Sequence, residues 1–263
     1  MIGAILGDII GSRFEFNNIK TKEFELLTPQ CSFTDDSVLT CAVADALLRS
    51  GGDYTDLSAK VVESMRTIGR RYPYCGFGGL FFQWVFSDDA GPYNSFGNGS
   101  AMRVSPVGFL AKDIDEAKLL ARKVTEVTHN HPEGLKGAEA TAVAIVMARQ
   151  GASKDEIRTV MERDYYPVRH TVDEYREIIR GHGDETCQVS MPEAMQCFYE
   201  GTDYEDVIRN CVSIGGDSDT LGAIAGAIAE AYYGVPESLA SRLPEYLSPD
   251  LMDIVERFRE AVR

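Results

Sequence analysis

Apolar residues recur at three- and four-residue steps through most of the chain. Val38, Cys41, Ala42, Ala46 and Leu47 form one such stripe, and Ala138, Thr141, Ala142, Ile145 and Val146 form another. That spacing brings side chains onto one face of an α-helix. Similar patterns cover roughly 55–69, 115–128, 153–163, 190–200, 204–213, 219–233 and 250–262, with Gly or Pro near most of the ends. Strand-like alternation is scarce, so the spacing predicts an all-α globule.

The segment 219–233 concentrates Ala223, Ala225, Gly226, Ala227 and Ala229. Such small side chains permit close helix approach in a crowded centre. Longer segments between helices fall near 12–33, 70–99 and 165–189, and long ordered loops in compact domains often carry function. No stretch reads as a linker and no repeat period recurs. With 44% apolar residues, the chain predicts a single domain over residues 1–263.

The apolar start, Met1 to Gly11, lacks a basic leader and contains Asp8, which argues against a signal peptide. The later apolar run from Leu221 to Tyr233 is too short to span a bilayer and is interrupted by Glu230. Six cysteines lie far apart without a C-x-x-C pair, a pattern suited to reduced, mostly buried thiols in a cytoplasmic protein. A net charge of −15 opposes a broad nucleic-acid surface, because Lys and Arg supply most of that affinity. An anionic ligand must therefore be held locally, by metal ions or by backbone N–H groups.

Two short segments place hydroxyl and carboxylate oxygens at helix starts. Thr34-Asp35-Asp36 precedes the helix expected from about Ser37, and Asp217-Ser218-Asp219-Thr220 precedes the helix of Leu221. Either segment alone reads as a helix cap with acids in the first turn. Two such segments, each with a doubled acid and a Thr, point instead to a shared site. Carboxylates ~4 Å apart repel by roughly 4 kcal/mol at an effective dielectric constant near 20, so convergence would call for cations. Oxygen ligands without Cys suit Mg²⁺ or Mn²⁺ better than zinc.

A third segment, Asn94-Ser95-Phe96-Gly97-Asn98-Gly99-Ser100, is rich enough in glycine for its backbone N–H groups to form an anion-binding concavity, although Asn and Gly are also ordinary turn residues. His129-Asn130-His131 superficially resembles the HNH of metal nucleases. The acidic balance opposes that reading, and a helix end followed by Pro132 accounts for the histidines.

Taken together, these segments resemble the ADP-ribosylglycohydrolase family. The resemblance runs through GAILGDIIGSRFEF at Gly3–Phe16, FTDDSVLT at Phe33–Thr40, YPYCGFGG at Tyr72–Gly79 and NSFGNGSAMRVSPVG at Asn94–Gly108. THNHPE at Thr128–Glu133 and IGGDSDTLGAIAGAIAEAYYG at Ile214–Gly234 complete it. It implies a single orthogonal all-α domain with two divalent cations, Mg²⁺ or Mn²⁺. Their ligands would be Thr34, Asp35 and Asp36 from one end and Asp217, Asp219 and Thr220 from the other. It further implies that Glu15 lies near the second metal and the reacting ribose. Ser95, Phe96, Gly97, Asn98 and Gly99 would cradle ADP-ribose, with His129 approaching a phosphate or ribose. Some relatives carry an acid where this chain has Ser95. Glu15 or a metal-held water is then the candidate proton acceptor.

The implied activity is hydrolysis of the glycosidic bond between ADP-ribose and a modified protein or small acceptor, with Glu15, Asp36 and Asp219 in catalytic roles. Two alternatives belong to other classes: a non-catalytic ADP-ribose binder that keeps the fold, and a two-metal nucleotide phosphohydrolase.

Overall fold

The computed structural model of the chain describes residues 1–262. Its helices are, in order, α1 (Ile2–Gly11), α2 (Asp35–Ser50), α3 (Leu57–Gly69), α4 (Gly79–Phe86), α5 (Gly99–Met102), α6 (Ser105–Leu110), α7 (Ile114–Thr125) and α8 (Pro132–Arg149). They continue with α9 (Lys154–Asp164), α10 (Val172–Ile178), α11 (Cys187–Glu200), α12 (Tyr204–Ile214), α13 (Ser218–Tyr233), α14 (Glu237–Ala240) and α15 (Pro249–Ala261). Among the described residues no strand forms, and the one β-type pairing is an isolated bridge between Gly97 and Thr186. The all-α expectation holds.

The centre is the pairing of α1 with α13. Every residue of α1 is buried, and so is α13 from Ser218 to Ala229. Backbone meets backbone there. A Cβ added at Gly7 would sit 2.0 Å from the Gly222 carbonyl oxygen, and one at Gly3 would sit 2.4 Å from that of Gly226. Only glycine allows this approach, and forcing a side chain into such a seam costs about 1–3 kcal/mol or more. Glu230, the charge that interrupts the apolar run of α13, accepts a 2.7 Å hydrogen bond from the Gly3 amide and so satisfies one free N–H of α1.

This crossing positions the polar chemistry. Gly11 lies against the first turn of α13, where its Cβ would meet the Ser218 carbonyl oxygen at 2.4 Å. Asp8, one turn earlier, therefore faces the start of α13, and α2 packs against α1 as well.

Two of the longer segments contain helices that spacing alone does not reveal. Helix α4, GLFFQWVF, is apolar but for Gln83, so no stripe stands out. Helix α10 is announced by a capping box, the Thr171 hydroxyl bonding the Glu174 amide and the Glu174 carboxylate returning to the Thr171 amide. The histidine segment also differs from expectation. It precedes a helix, with His131 accepting from the Glu133 amide as the N-cap of α8 and Pro132 at the first helical position.

Candidate active site

Three loops and two helix starts enclose a cavity of about 520 Å³. Its lining brings together Glu15, Thr34, Asp35, Asp36, Asp217, Asp219 and Thr220 at one end. Ser95, Gly97, Asn98, Gly99 and His129 stand at the other. Of the site residues expected from sequence, Phe96 alone is outside this lining, with its half-exposed ring tilted against His131 at 5.2 Å.

At the acid end, Thr34 does cap α2, its hydroxyl accepting from the Asp36 amide. Asp217 occupies the N-cap position of α13, yet its side chain makes no capping bond. Its carboxylate instead accepts from Asn98 Nδ2 at 2.6 Å. The two helix starts meet directly where Thr220 Oγ1 lies 3.4 Å from Asp36 Oδ2. Asp8, Asp36 and Asp219 place one carboxylate oxygen each within 4.8 Å of one another, and so do Glu15, Asp217 and Asp219. Asp219 belongs to both groups, so the two clusters adjoin.

Asp8 escaped the sequence reading, although an acid inside GAILGDII is the signal that could have found it. It is fully buried and accepts from the Thr34 amide at 3.0 Å, the Thr34 hydroxyl at 2.8 Å, the Ser37 amide at 3.1 Å and the Ser37 hydroxyl. These bonds tie the first turn of α2 to α1 and hold Asp36 toward α13. Asp35 lines the cavity beside Gly76, where a Cβ would stand 3.1 Å from Asp35 Oδ1.

Concentrated carboxylates resist ionisation. Burial, opposed by the hydrogen bonds of Ser37 and Thr34, pushes Asp8 up to about 6. Burial and the neighbouring Asp217 push Glu15 up to about 7, and burial with Asp8 and Asp217 pushes Asp35 up to about 8. Asp36 and Asp219 are driven well above the usual carboxylate range, by burial first and by neighbouring carboxylates after it. One oxygen of each, Asp36 Oδ1 and Asp219 Oδ1, is buried without a hydrogen-bond partner. Buried acceptors are seldom left so. All-oxygen donors, excess negative charge and two unpartnered oxygens together fit hard divalent cations.

The glycine-rich end is built differently. The Asn94, Gly97 and Asn98 amides are occupied, donating to Asn130 Oδ1, Ser95 Oγ and the Glu185 carbonyl respectively. The expected row of free N–H groups is therefore partly spent on holding the loop. Asn98 Nδ2, bonded to Asp217 and to Ser190 Oγ, couples this loop to the acid end.

A family model described as ADP-ribosylglycohydrolase matches residues 1–263. The chain belongs to the ADP-ribosylglycohydrolase family. It is 25% identical to the human ADP-ribosylhydrolase ARH3, a likeness covering 96% of this chain and 90% of that one. It is 23% identical to the ADP-ribosylarginine hydrolase Tri1 of Pseudomonas putida, over 89% of this chain and 70% of that one. A solved structure titled ADP-ribosylglycohydrolase-related protein complex superposes with a TM-score of 0.72 at 22% identity, covering 100% of this chain and 97% of that one. This last likeness shows the fold.

Further cavity residues of this family member went unseen in the sequence. His182 and Glu185 come from the segment 165–189, whose length was the signal. His182 Nε2 lies 2.7 Å from Glu185 Oε1 and 3.8 Å from Glu15 Oε1, and its ring stacks on Phe16 at 4.9 Å. Arg103, also in the lining, follows α5 directly. All six cysteines are free and only Cys75 is not fully buried. No helix among the described residues is long and apolar enough to cross a membrane.

Proposed function

We propose that this ADP-ribosylglycohydrolase family member is a two-metal hydrolase that releases ADP-ribose from a modified protein or a small ADP-ribose conjugate by cleaving an N- or O-glycosidic bond. The observation that carries this reading is the convergence of α2 and α13 on one end of the cavity, with Asp36 Oδ1 and Asp219 Oδ1 buried and unpartnered.

Thr34, Asp35, Asp36, Asp217, Asp219 and Thr220 would hold two Mg²⁺ or Mn²⁺ ions, with Asp8 orienting Thr34. Divalent cations in such a site supply Lewis-acid polarisation of sugar hydroxyls and water. The chain's own groups do the rest. Glu15 lines the cavity within 4.8 Å of Asp217 and Asp219 oxygens, where it takes the proton of the attacking water and returns it to the departing acceptor. The carboxylates of Asp36 and Asp219 face the positive charge that develops on the ribose ring as the bond to the acceptor lengthens. Ser95, Gly97, Asn98 and Gly99 give the ADP portion a wall without bulky side chains, with Phe96 outside it, and His129 contributes a polar contact. Ser95 offers no carboxylate, so Glu15 carries the acid-base role alone.

The test is turnover of ADP-ribosylated arginine and serine peptides, ADP-ribosylated nucleic acid and O-acetyl-ADP-ribose, with products resolved by mass spectrometry. Free ADP-ribose is expected with Mg²⁺ or Mn²⁺, little with Ca²⁺, which prefers longer bonds and more ligands, and none after exhaustive chelation. Release of AMP or phosphate would mark a phosphohydrolase and overturn the reading. Tight ADP-ribose binding with no turnover of any substrate would reduce it to a binder, and full turnover in EDTA would remove the metals.

A further inference from the structure

Arg103 is a cation in an unusual place. It is 1% exposed, and among the described residues no carboxylate bonds to it; its Nε and Nη1 have no partner. Nη2 alone is engaged, 2.6 Å from Thr128 Oγ1 and 3.5 Å from His129 Nδ1. Thr128 Oγ1 in turn lies 2.8 Å from His129 Nδ1.

Donor chemistry sets the direction of this chain. A guanidinium can only donate, so Thr128 Oγ1 accepts from Arg103. Its single proton is then free to go to His129. A hydroxyl can accept twice, and it is the second donor facing the ring, Arg103 Nη2 at 3.5 Å from Nδ1, that favours an unprotonated Nδ1 there. The ring proton is left on Nε2. The familiar arrangement is the reverse: a carboxylate or carbonyl accepts from Nδ1–H and leaves Nε2 as an acceptor. Here a donor stands behind the ring, so the far nitrogen becomes a donor too. Burial and the adjacent Arg103 charge hold His129 well below its usual pKa, which keeps the ring neutral.

Nε2 faces the glycine loop. A Cβ at Gly99 would stand 3.2 Å from it and one at Gly97 3.8 Å. His129, Gly97 and Gly99 line the same cavity, and among the described residues the ring's hydrogen bonds all run through Nδ1. With the Asn94, Gly97 and Asn98 amides already occupied, a fixed side-chain donor adds to the few backbone donors left on that wall.

We infer that Arg103 and Thr128 are positioning residues: they hold His129 as its neutral Nε2–H tautomer and so fix one N–H donor on the cavity wall for an acceptor oxygen of ADP-ribose. The ligand half of this inference rests on the cavity being an ADP-ribose site; the tautomer half does not. Arg103 leads directly out of α5, whose first residue is Gly99, so one short stretch supplies both the ligand-facing backbone and the group that orients the donor above it.

Long-range ¹⁵N–¹H NMR of the labelled full chain at neutral pH, with the His129 signals assigned by loss in H129Q, reads the tautomer directly. The expected spectrum has a pyridine-like Nδ1 and a pyrrole-like Nε2. Thr128→Val removes the relay hydroxyl at nearly constant shape. It should mix the tautomers and weaken ADP-ribose binding, measured by calorimetry with Mg²⁺ present, by roughly ten-fold or more. Thr128→Ser should restore both. A pyrrole-like Nδ1 in the parent, or a folded Thr128→Val protein with parental tautomer and affinity, would overturn the inference. Should Thr128→Val fail to fold, the parent spectrum still decides the tautomer. A parent that shows the expected tautomer but binds no ADP-ribose would overturn the ligand assignment and leave the relay standing.

Discussion

The two ends of the cavity solve opposite electrostatic problems within one small volume. The acid end gathers Glu15, Asp35, Asp36, Asp217 and Asp219 with no cation among the described residues bonded to the central pair, and it leaves Asp36 Oδ1 and Asp219 Oδ1 unpartnered there. The glycine-loop end holds a buried, uncompensated Arg103, a neutral histidine and backbone without side chains. One end is short of positive charge and the other short of negative charge. A ligand carrying a diol at one extremity and phosphates toward the other would complement both, provided divalent cations fill the acid end. The contrast also explains how a chain of net charge −15 accommodates an anion. Only the local field at the loop matters there, because most of the other charges lie at the surface, where salt screens them.

The contrast breaks most sharply at Asp219, which belongs to both carboxylate groups. Asp219→Asn keeps the shape but removes the shared charge. Turnover at saturating metal should fall by roughly 10²-fold or more, as expected from losing several kcal/mol of transition-state stabilisation at about 1.4 kcal/mol per decade. Thermal unfolding in EDTA should show no loss of stability, and even a gain, because carboxylate repulsion is relieved. A cap-only role predicts the reverse: stability lower by roughly 0.5–2 kcal/mol with near-parental turnover. That reverse outcome would remove the main physical support for the metal site.

A smaller effect is expected at the other end. Gly99→Ala places a methyl 3.2 Å from His129 Nε2, tight against the donor and on the cavity wall. Affinity for ADP-ribose should drop about ten-fold, the loss expected for one hydrogen bond to a charged group. Mn²⁺ affinity, followed by electron paramagnetic resonance without ligand, should stay at the parental value. A fall in both would mean that the two ends are not separable.

Much of this contrast was legible in the sequence because its acid half is written in local signals. Thr34-Asp35-Asp36 and Asp217-Ser218-Asp219-Thr220 sit at helix starts, where hydroxyls and acids are conspicuous, and the stripes of α2, α3, α8 and α12 follow the helical period. What escaped depended on tertiary contact. Helix α1 is buried on every side, so it shows no amphipathic stripe, and Asp8 read as an isolated charge rather than as the anchor of α2. The small residues of α13 announced a close approach without naming Gly3 and Gly7 as the partners. Arg103 lies inside the motif Asn94–Gly108, yet only the fold shows that it is buried without a carboxylate. The Asn94 and Asn98 amides looked available because their partners, Asn130 and Glu185, are distant in sequence.

The smallest effect expected is on stability against pH, where the two ends have opposite signs. An acid whose pKa is raised by folding keeps a proton that the unfolded chain has released. Stability then falls as pH rises from the unfolded value, near 4, through the folded one. Glu15 at about 7 and Asp35 at about 8 extend this window to roughly pH 8 in metal-free protein. His129 acts the other way. Its folded pKa lies below the usual 6.5, so the unfolded chain binds the extra proton and stability is gained as pH rises toward that value. The lowered acids Asp206 and Asp250 act only below the ordinary carboxylate range and leave this window alone. In EDTA the melting temperature should therefore fall from pH 5 upward, because the raised acids outnumber the one histidine that offsets them below 6.5. It should fall by a further few degrees between pH 7 and 8.5, where the Met1 amine, pushed down to about 6 by burial, opposes the acids only in part. Saturating Mn²⁺ should abolish the fall, because the cations bind the ionised carboxylates. His129→Gln should steepen the lower limb and leave the upper one unchanged, whereas Asp36→Asn should flatten the upper limb. If the chelated protein gained stability from pH 7 to 8.5, the carboxylates would have to be ionised without cations, and the charge deficit assigned to that end of the cavity would not exist.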